Sequence, residues 1–225
     1  MRFEAVLFDM DGVIADSEAM WNDIDGALLR LHGVEYKGEH KAQVLGKSFP
    51  LALGFYRDTF NIRAELEEMM LQRSDIARDF YAAKIPMFPP APQVLAGLKE
   101  RGLKLGLATS TVSSLARPFL QRHGIEKYFD AVTTGEEVEH GKPNPDIYLK
   151  AARKVGVGAA KCLVVEDALA GVQAGKSAGM IVAAIPDARW GDVSLFPQMA
   201  DAVLSDLAQL LPWLDRHSAG DFDEA

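Results

Sequence analysis

The sequence predicts an α/β fold, a doubly wound parallel sheet interrupted by an inserted all-helical domain. Short continuous apolar runs alternate with helix-length amphipathic stretches over most of the chain, the pattern of a parallel sheet covered by helices on both faces. A single long stretch, from about Ser17 to Lys84, contains no convincing strand.

In chain order, the first apolar run is Phe3–Phe8, followed much later by Leu103–Ala108, Cys162–Val165 and Met180–Ile185. Ala131–Thr133 reads as a weaker fifth strand. Each run is short and mostly apolar, interrupted only by Glu4 in the first and Lys104 in the second, as strands buried on both faces are. Helical patterns lie between them at Ala91–Arg101, Val112–His123, Pro145–Val155 and Leu169–Ala178. Within the strandless stretch, Met20, Ile24, Ala27, Leu28 and Leu31 recur at helical spacing, as do Leu66, Met69, Met70, Ile76, Ala77 and Phe80.

One strand precedes this helical stretch and the remaining βαβ units follow it, so it is an insertion after the first strand, returning through the proline-rich run Pro86–Pro92. The expected division is a core of residues 1–15 and 87–225 and a helical cap of residues 16–86. A cap inserted there is expected over the carboxyl ends of the strands, where open α/β sheets bind ligands. The tail after Trp213 is polar and acidic and is expected to be disordered.

Composition narrows the class. Of 225 residues, 48% are hydrophobic and 25% charged, which excludes disordered, collagen-like and disulfide-scaffold proteins. Thirty-two acidic against 24 basic residues give a net charge of −8, which argues against nucleic-acid partners and anionic membrane surfaces. The lone Cys162 can form neither an internal disulfide nor a CxxC metal pair, so a reducing cytoplasm is the expected compartment. The apolar run Ala5–Phe8 is too short for a secretory h-region, and Ile85–Leu98 is broken by four prolines, so no membrane span is expected.

The chemistry concentrates at predicted strand ends. Asp9 and Asp11 leave the first strand two residues apart, with Gly12 permitting a tight turn beneath them. A DxDG sequence is an ordinary polar turn in most settings, but a turn at this place lies in the expected ligand crevice. Glu166 and Asp167 end another strand in the same way, so four carboxylates are expected to converge. Like charges held ~4 Å apart repel by ~4 kcal/mol at an effective dielectric of ~20, so the cluster needs a divalent cation, a lysine or protonation. Mg²⁺ is the natural cation, because it takes carboxylate and carbonyl oxygens while keeping waters that a phosphate can replace.

Lys142 stands in a loop ahead of a helix and reads either as a solvated lysine or as that neutralising charge. Thr109, Ser110 and Thr111 follow a buried strand at the start of a helix; they either cap that helix or frame an anion site at its N-terminus.

These motifs together resemble a known family. Asp9-x-Asp11-Gly12-Val13-Ile14-x-Asp16-Ser17-Glu18, Ala108-Thr109-Ser110, Gly141-Lys142-Pro143-x-Pro145-Asp146 and Val165-Glu166-Asp167-x-x-x-Gly171 match, in order, the four motifs of the haloacid dehalogenase-like superfamily. The chain looks like its branch of β-phosphoglucomutases and small-sugar-phosphate phosphatases, over Phe3 to about Ala184. The resemblance implies phosphoryl transfer through an aspartyl-phosphate, with Asp9 as nucleophile and Asp11 as general acid and then base. It implies Mg²⁺ held by Asp9, Asp167 and the main-chain carbonyl of Asp11, with Glu166 ligating directly or through water. Thr109 and the Ser110 amide would bind phosphoryl oxygens, and Lys142 would hold the charge between Asp9 and a small phosphorylated metabolite.

The second aspartate favours phosphate esters over carbon–halogen bonds, since Asp11 supplies the acid an alkoxide leaving group requires. Trp21 and Phe49 stand where the mutases of the branch carry a histidine and an arginine, which weakens the reading as a hexose-phosphate mutase. A catalytically silent phosphoanion- or partner-binding protein would require an incomplete site, and all four motifs are intact. Gly46-Lys47-Ser48 ends like a P-loop, but Lys41 stands where a glycine is needed and no strand precedes it. Lys47 reads as a substrate contact of the cap or an exposed lysine, and Trp21 as cap packing or substrate contact. None of His32, His40, His123, His140 and His217 forms a metal-spaced pair.

Overall fold

A computed structural model describes residues 3–37, 40, 44, 49–189 and 192–217. The chain divides into two compact units, Met1–Asp16 with Pro86–Ala225, and Ser17–Ile85.

The first unit is built on a six-stranded parallel sheet: β1 (Ala5–Phe8), β2 (Lys104–Ala108), β3 (Ala131–Thr133), β4 (Cys162–Glu166), β5 (Ile181–Ala184) and β6 (Ala202–Val203), in the order β3-β2-β1-β4-β5-β6. Phe8 is in register with Leu107 on one side and Val165 on the other, so the central strand is paired along both edges. All four of its residues are buried, which is why this strand reads as a continuous apolar run. The chain builds outward from β1 to β3, then returns to β4 on the opposite side. The order therefore reverses between β1 and β4, and ligands of such sheets bind at the strand tips of that reversal.

Helices α4 (Ala91–Glu100), α5 (Ser113–Arg122), α6 (Asp146–Val155) and α7 (Leu169–Ser177) join these strands. The α6 sequence shows why: Asp146 sits in the first turn and Arg153 and Lys154 in the last, each matching the helix dipole. Gly156 ends it at φ 74°, a left-handed position that suits glycine. Its buried face, Ile147, Tyr148, Ala151, Ala152 and Val155, packs with Leu7, Val164 and Val182 in the core.

The chain leaves this unit and returns to it along a paired ribbon. Asp16 donates its N–H to the Pro86 carbonyl at 2.9 Å, Phe88 donates to the Ile14 carbonyl at 2.9 Å, and Ala15 bridges Met87 in antiparallel fashion.

The second unit is helical: α1 (Glu18–Leu31), α2 (Phe49–Thr59) and α3 (Leu66–Ala83). Leu28, Leu29, Leu53, Tyr56, Ile62 and Met69 form its core. The expected α1 stripe holds at Ile24 and Leu28, but Leu31 is exposed and Leu29 is buried in its place. Trp21 packs within the unit, its ring 6.0 Å from that of Tyr81 and covered by the Arg73 guanidinium at 4.5 Å. Arg73 is held there by Asp25 at 2.7 Å. Lys41, Gly46, Lys47 and Ser48 lie outside the described residues.

Strand β6 and helix α2 lie where no individual element is expected from the sequence, and two further features depart from that expectation. Residues after Trp213 continue a helix, α9 (Leu210–His217), which follows the short α8 (Phe196–Met199). Leu210, Trp213 and Leu214 bury its face, and Trp213 stacks on Phe3 with ring centroids 6.3 Å apart. That tertiary contact, invisible in the local composition, orders residues 214–217; residues 218–225 lie outside the described residues. The second departure is at α5, where Val112 stands at the N-cap and Thr109, Ser110 and Thr111 do not cap the helix. Glu136 does so from a neighbouring loop, accepting the Ser113 N–H at 2.8 Å.

Candidate active site

Each acidic residue of the candidate site is set by the end of a strand. Asp9 follows β1 directly and donates its backbone N–H to the Val165 carbonyl at 3.0 Å, which holds it beside the tip of β4. Glu166 is the last residue of β4, and Asp167 follows it. Asp9, Glu166 and Asp167 bring carboxylate oxygens within 4.8 Å of one another.

Two glycines make that approach possible. Gly12 turns at φ 80°, and a side chain there would overlap the Asp167 carboxylate. Gly171, one turn into α7, leaves room for the Glu166 carboxylate in the same way.

Lys142 reaches the cluster from the loop before α6. Its ammonium lies 2.7 Å from Asp9 Oδ1 and 2.6 Å from Glu166 Oε1. Tyr148 donates its hydroxyl to the same Glu166 oxygen at 2.7 Å, while Glu166 Oε2 accepts the N–H groups of Asp167 at 2.9 Å and Ala168 at 3.1 Å. A carboxylate offers about four acceptor sites, and four protein donors reach Glu166.

The electrostatics follow from burial. Asp9 and Lys142 side chains are 9% and 10% exposed and Glu166 1%. Burial pushes the Asp9 carboxyl up to about 7; Lys142 opposes the rise, and Glu166 and Asp11 add to it. For Lys142, burial works against the charged form, but Asp9 and then Glu166 outweigh it and hold the ammonium above the usual lysine range. Burial, followed by the charges of Glu166 and Asp9, pushes Tyr148 well above the ordinary tyrosine value. Three carboxylates face one ammonium, so the cluster carries excess negative charge. Its all-oxygen donor set fits a hard divalent cation.

Asp11 points elsewhere. Its Oδ2 accepts the Thr111 hydroxyl at 2.6 Å and a longer contact from Thr109 at 3.5 Å, and the Thr109 hydroxyl in turn accepts the Thr111 N–H at 3.0 Å. Its carboxylate is not one of the three grouped within 4.8 Å, although it lies near enough to raise the Asp9 carboxyl. Ser110 is exposed, with its carbonyl packed closely on Gly135. Lys47 lies outside the described residues. The five histidines form no metal-binding group among the described residues. Tyr148 is the site residue that sequence reading missed, because a buried tyrosine on an apolar helix face reads as core.

The chain is similar to known proteins over most of its length. Residues 3–179 match the family described as haloacid dehalogenase-like hydrolase. A phosphorylated carbohydrates phosphatase of Thermotoga maritima is 32% identical over 177 residues, covering 79% of this chain and 82% of its own. Hexitol phosphatase B of Escherichia coli K12 is 30% identical over 213 residues, covering 92% and 93%. A solved structure of a beta-phosphoglucomutase-like protein from Thermotoga maritima matches with a TM-score of 0.85 at 29% identity, over 96% of this chain and 100% of that one. The ordered motifs, the sheet order and these matches agree, and the chain belongs to the haloacid dehalogenase-like hydrolases.

Proposed function

We propose that this hydrolase is a Mg²⁺-dependent phosphatase of a small phosphorylated metabolite, a sugar or polyol phosphate, acting through an aspartyl-phosphate on Asp9. The observation that carries the reading is the buried Lys142 ammonium bridging Asp9 and Glu166, with Asp167 alongside. The similar proteins named as phosphatases of phosphorylated carbohydrates and of hexitol phosphates support the substrate class.

In this reading Asp9 attacks phosphorus, and the P–O bond to the leaving alkoxide breaks as the Asp9 Oδ–P bond forms. Asp11 protonates the alkoxide and later takes a proton from the attacking water, which releases phosphate and restores Asp9. The Thr111 and Thr109 hydroxyls fix the orientation of the Asp11 carboxyl. Lys142 balances the charge that gathers between Asp9 and the phosphoryl oxygens. Thr109 and the exposed Ser110 line the loop assigned to those oxygens. Mg²⁺ bound by Asp9, Asp167 and the Asp11 main-chain carbonyl would neutralise phosphoryl charge. Glu166, its acceptor sites filled, is assigned to hold Lys142. Residues 16–86 are the proposed cap that selects the leaving group, and Lys47 is a proposed contact within it.

The test is a panel of sugar and polyol phosphates assayed for phosphate release with Mg²⁺ and with a chelator. Release is expected for at least one member, to stop with the chelator, and to be abolished by Asp9→Asn; persistence in that variant removes Asp9 as nucleophile. The similarity to a beta-phosphoglucomutase-like structure keeps a mutase as the second reading. Incubation with β-glucose 1-phosphate separates the two, since a mutase accumulates glucose 6-phosphate and a phosphatase inorganic phosphate.

A further inference from the structure

We infer that Tyr148 is a positioning residue of this site: its hydroxyl holds Glu166 and, through Glu166, fixes the Lys142 ammonium against Asp9. The inference rests on the proposed roles of Asp9 and Lys142.

Tyr148 is fully buried in α6, and its ring belongs to the core cluster that includes Leu7, Val164 and Val172. Phenylalanine would fill that space as well, so packing alone does not account for the hydroxyl. A buried hydroxyl is retained at little cost only when it is paired, and this one is paired to a carboxylate oxygen that also receives Lys142. The Lys142 ammonium lies 5.1 Å from the Tyr148 ring centroid, within the range of cation–π attraction. Tyr148 therefore meets Lys142 twice, once through its ring face and once through the shared oxygen of Glu166.

The hydroxyl has a specific electrostatic consequence. Lys142 is divided between two carboxylates at nearly equal distance, 2.7 Å and 2.6 Å. By donating to Glu166 Oε1, Tyr148 disperses the negative charge on that oxygen and weakens its pull on the ammonium. Without the hydroxyl, Oε1 concentrates its charge on Lys142 and draws it away from Asp9. The ammonium would then stabilise less of the charge that develops during transfer, while substrate binding through other groups is untouched.

The experiment compares wild type, Tyr148→Phe, Glu166→Gln and the double variant in steady-state phosphate release, with thermal melts to verify folding. Tyr148→Phe is expected to lower kcat about fivefold, the loss of one hydrogen bond to a charged group that keeps three other donors, with KM within twofold of wild type. In the Glu166→Gln background the same substitution is expected to have no further effect, because the charge it disperses is absent. A wild-type kcat in Tyr148→Phe overturns the inference, and so does an equal loss in the Glu166→Gln background, which would place the hydroxyl's effect elsewhere. Failure of the wild type itself to release phosphate from any ester is a different result, one that removes the phosphatase reading on which the roles of Asp9 and Lys142 rest.

Discussion

Gly171 lies directly against the Glu166 carboxylate, so closely that a methyl group in its place would overlap Oε1. Glu166 cannot swing aside, because its two oxygens are held by Lys142, Tyr148 and the N–H groups of Asp167 and Ala168. A glycine inside α7 costs the helix about 1 kcal/mol relative to alanine, whereas displacing a buried, paired carboxylate costs about 3–5 kcal/mol. The second effect wins. Gly171→Ala is expected to lower the melting temperature and to cut phosphate release about a hundredfold, a barrier increase of ~2.7 kcal/mol. A raised melting temperature with unchanged turnover would show that helix propensity alone governs the position.

Removing the charge instead of crowding it gives a second prediction. Lys142→Met leaves Asp9 and Glu166 buried together without a cation between them. Denaturant unfolding without divalent ions is expected to show a loss of about 3–5 kcal/mol. Millimolar Mg²⁺ should recover part of it by supplying positive charge to the same carboxylates. Unfolding midpoints equal to wild type in chelator would contradict the assigned role.

Thr111 was one of three hydroxyl residues read as possible helix caps, and its contact is with Asp11 instead. Thr111→Val keeps the branched shape and removes the donor, so a fall in kcat of about ten- to a hundredfold is expected, at about 1.5–3 kcal/mol for one hydrogen bond to a carboxylate. Thr111→Ser should restore most of the rate. Equal rates for all three would detach the hydroxyl from the acid–base step.

The pH dependence of stability can be read at Asp130, away from the site. Burial pulls its carboxyl upward, but hydrogen bonds from Lys99, the Leu105 N–H and Lys104 outweigh burial and hold it below the usual aspartate range. A carboxyl lowered by folding stabilises above its unfolded pKa of about 3.9, and that contribution is lost as pH falls through the folded value. Asp130→Asn is expected to cost about 1 kcal/mol at pH 7, a modest figure because Lys104 is 54% exposed and screened by water. The variant's deficit should shrink towards zero between about pH 5 and pH 2. A deficit constant with pH would assign the effect to packing.

Much of the candidate site was legible before the fold was known. Asp9, Asp11, Lys142, Glu166 and Asp167 sit at the ends of apolar runs or in a proline-flanked loop, and charged residues placed where a buried strand ends carry a topological meaning that local pattern preserves. Gly171 was legible as a motif position, but only the Glu166 carboxylate packed against it explains the absence of a side chain. Tyr148 was not legible, since its spacing on α6 is that of any core residue and its hydroxyl meets Glu166 from 18 positions away.

The strands β1 to β5, their parallel arrangement and the helical insertion were determined by the sequence itself, because each rests on periodicity and on turn residues, which act over a few neighbours. Tertiary structure alone decided that Leu210–His217 is a helix, since its face is buried against residues such as Phe3 at the other end of the chain. It decided equally that Glu136 caps α5, that Asp11 turns to Thr111, and that Glu166 spends its acceptor sites on the protein. Hydrogen-bond partners are settled by which groups meet when buried strand ends converge, and chain separation carries no record of those meetings.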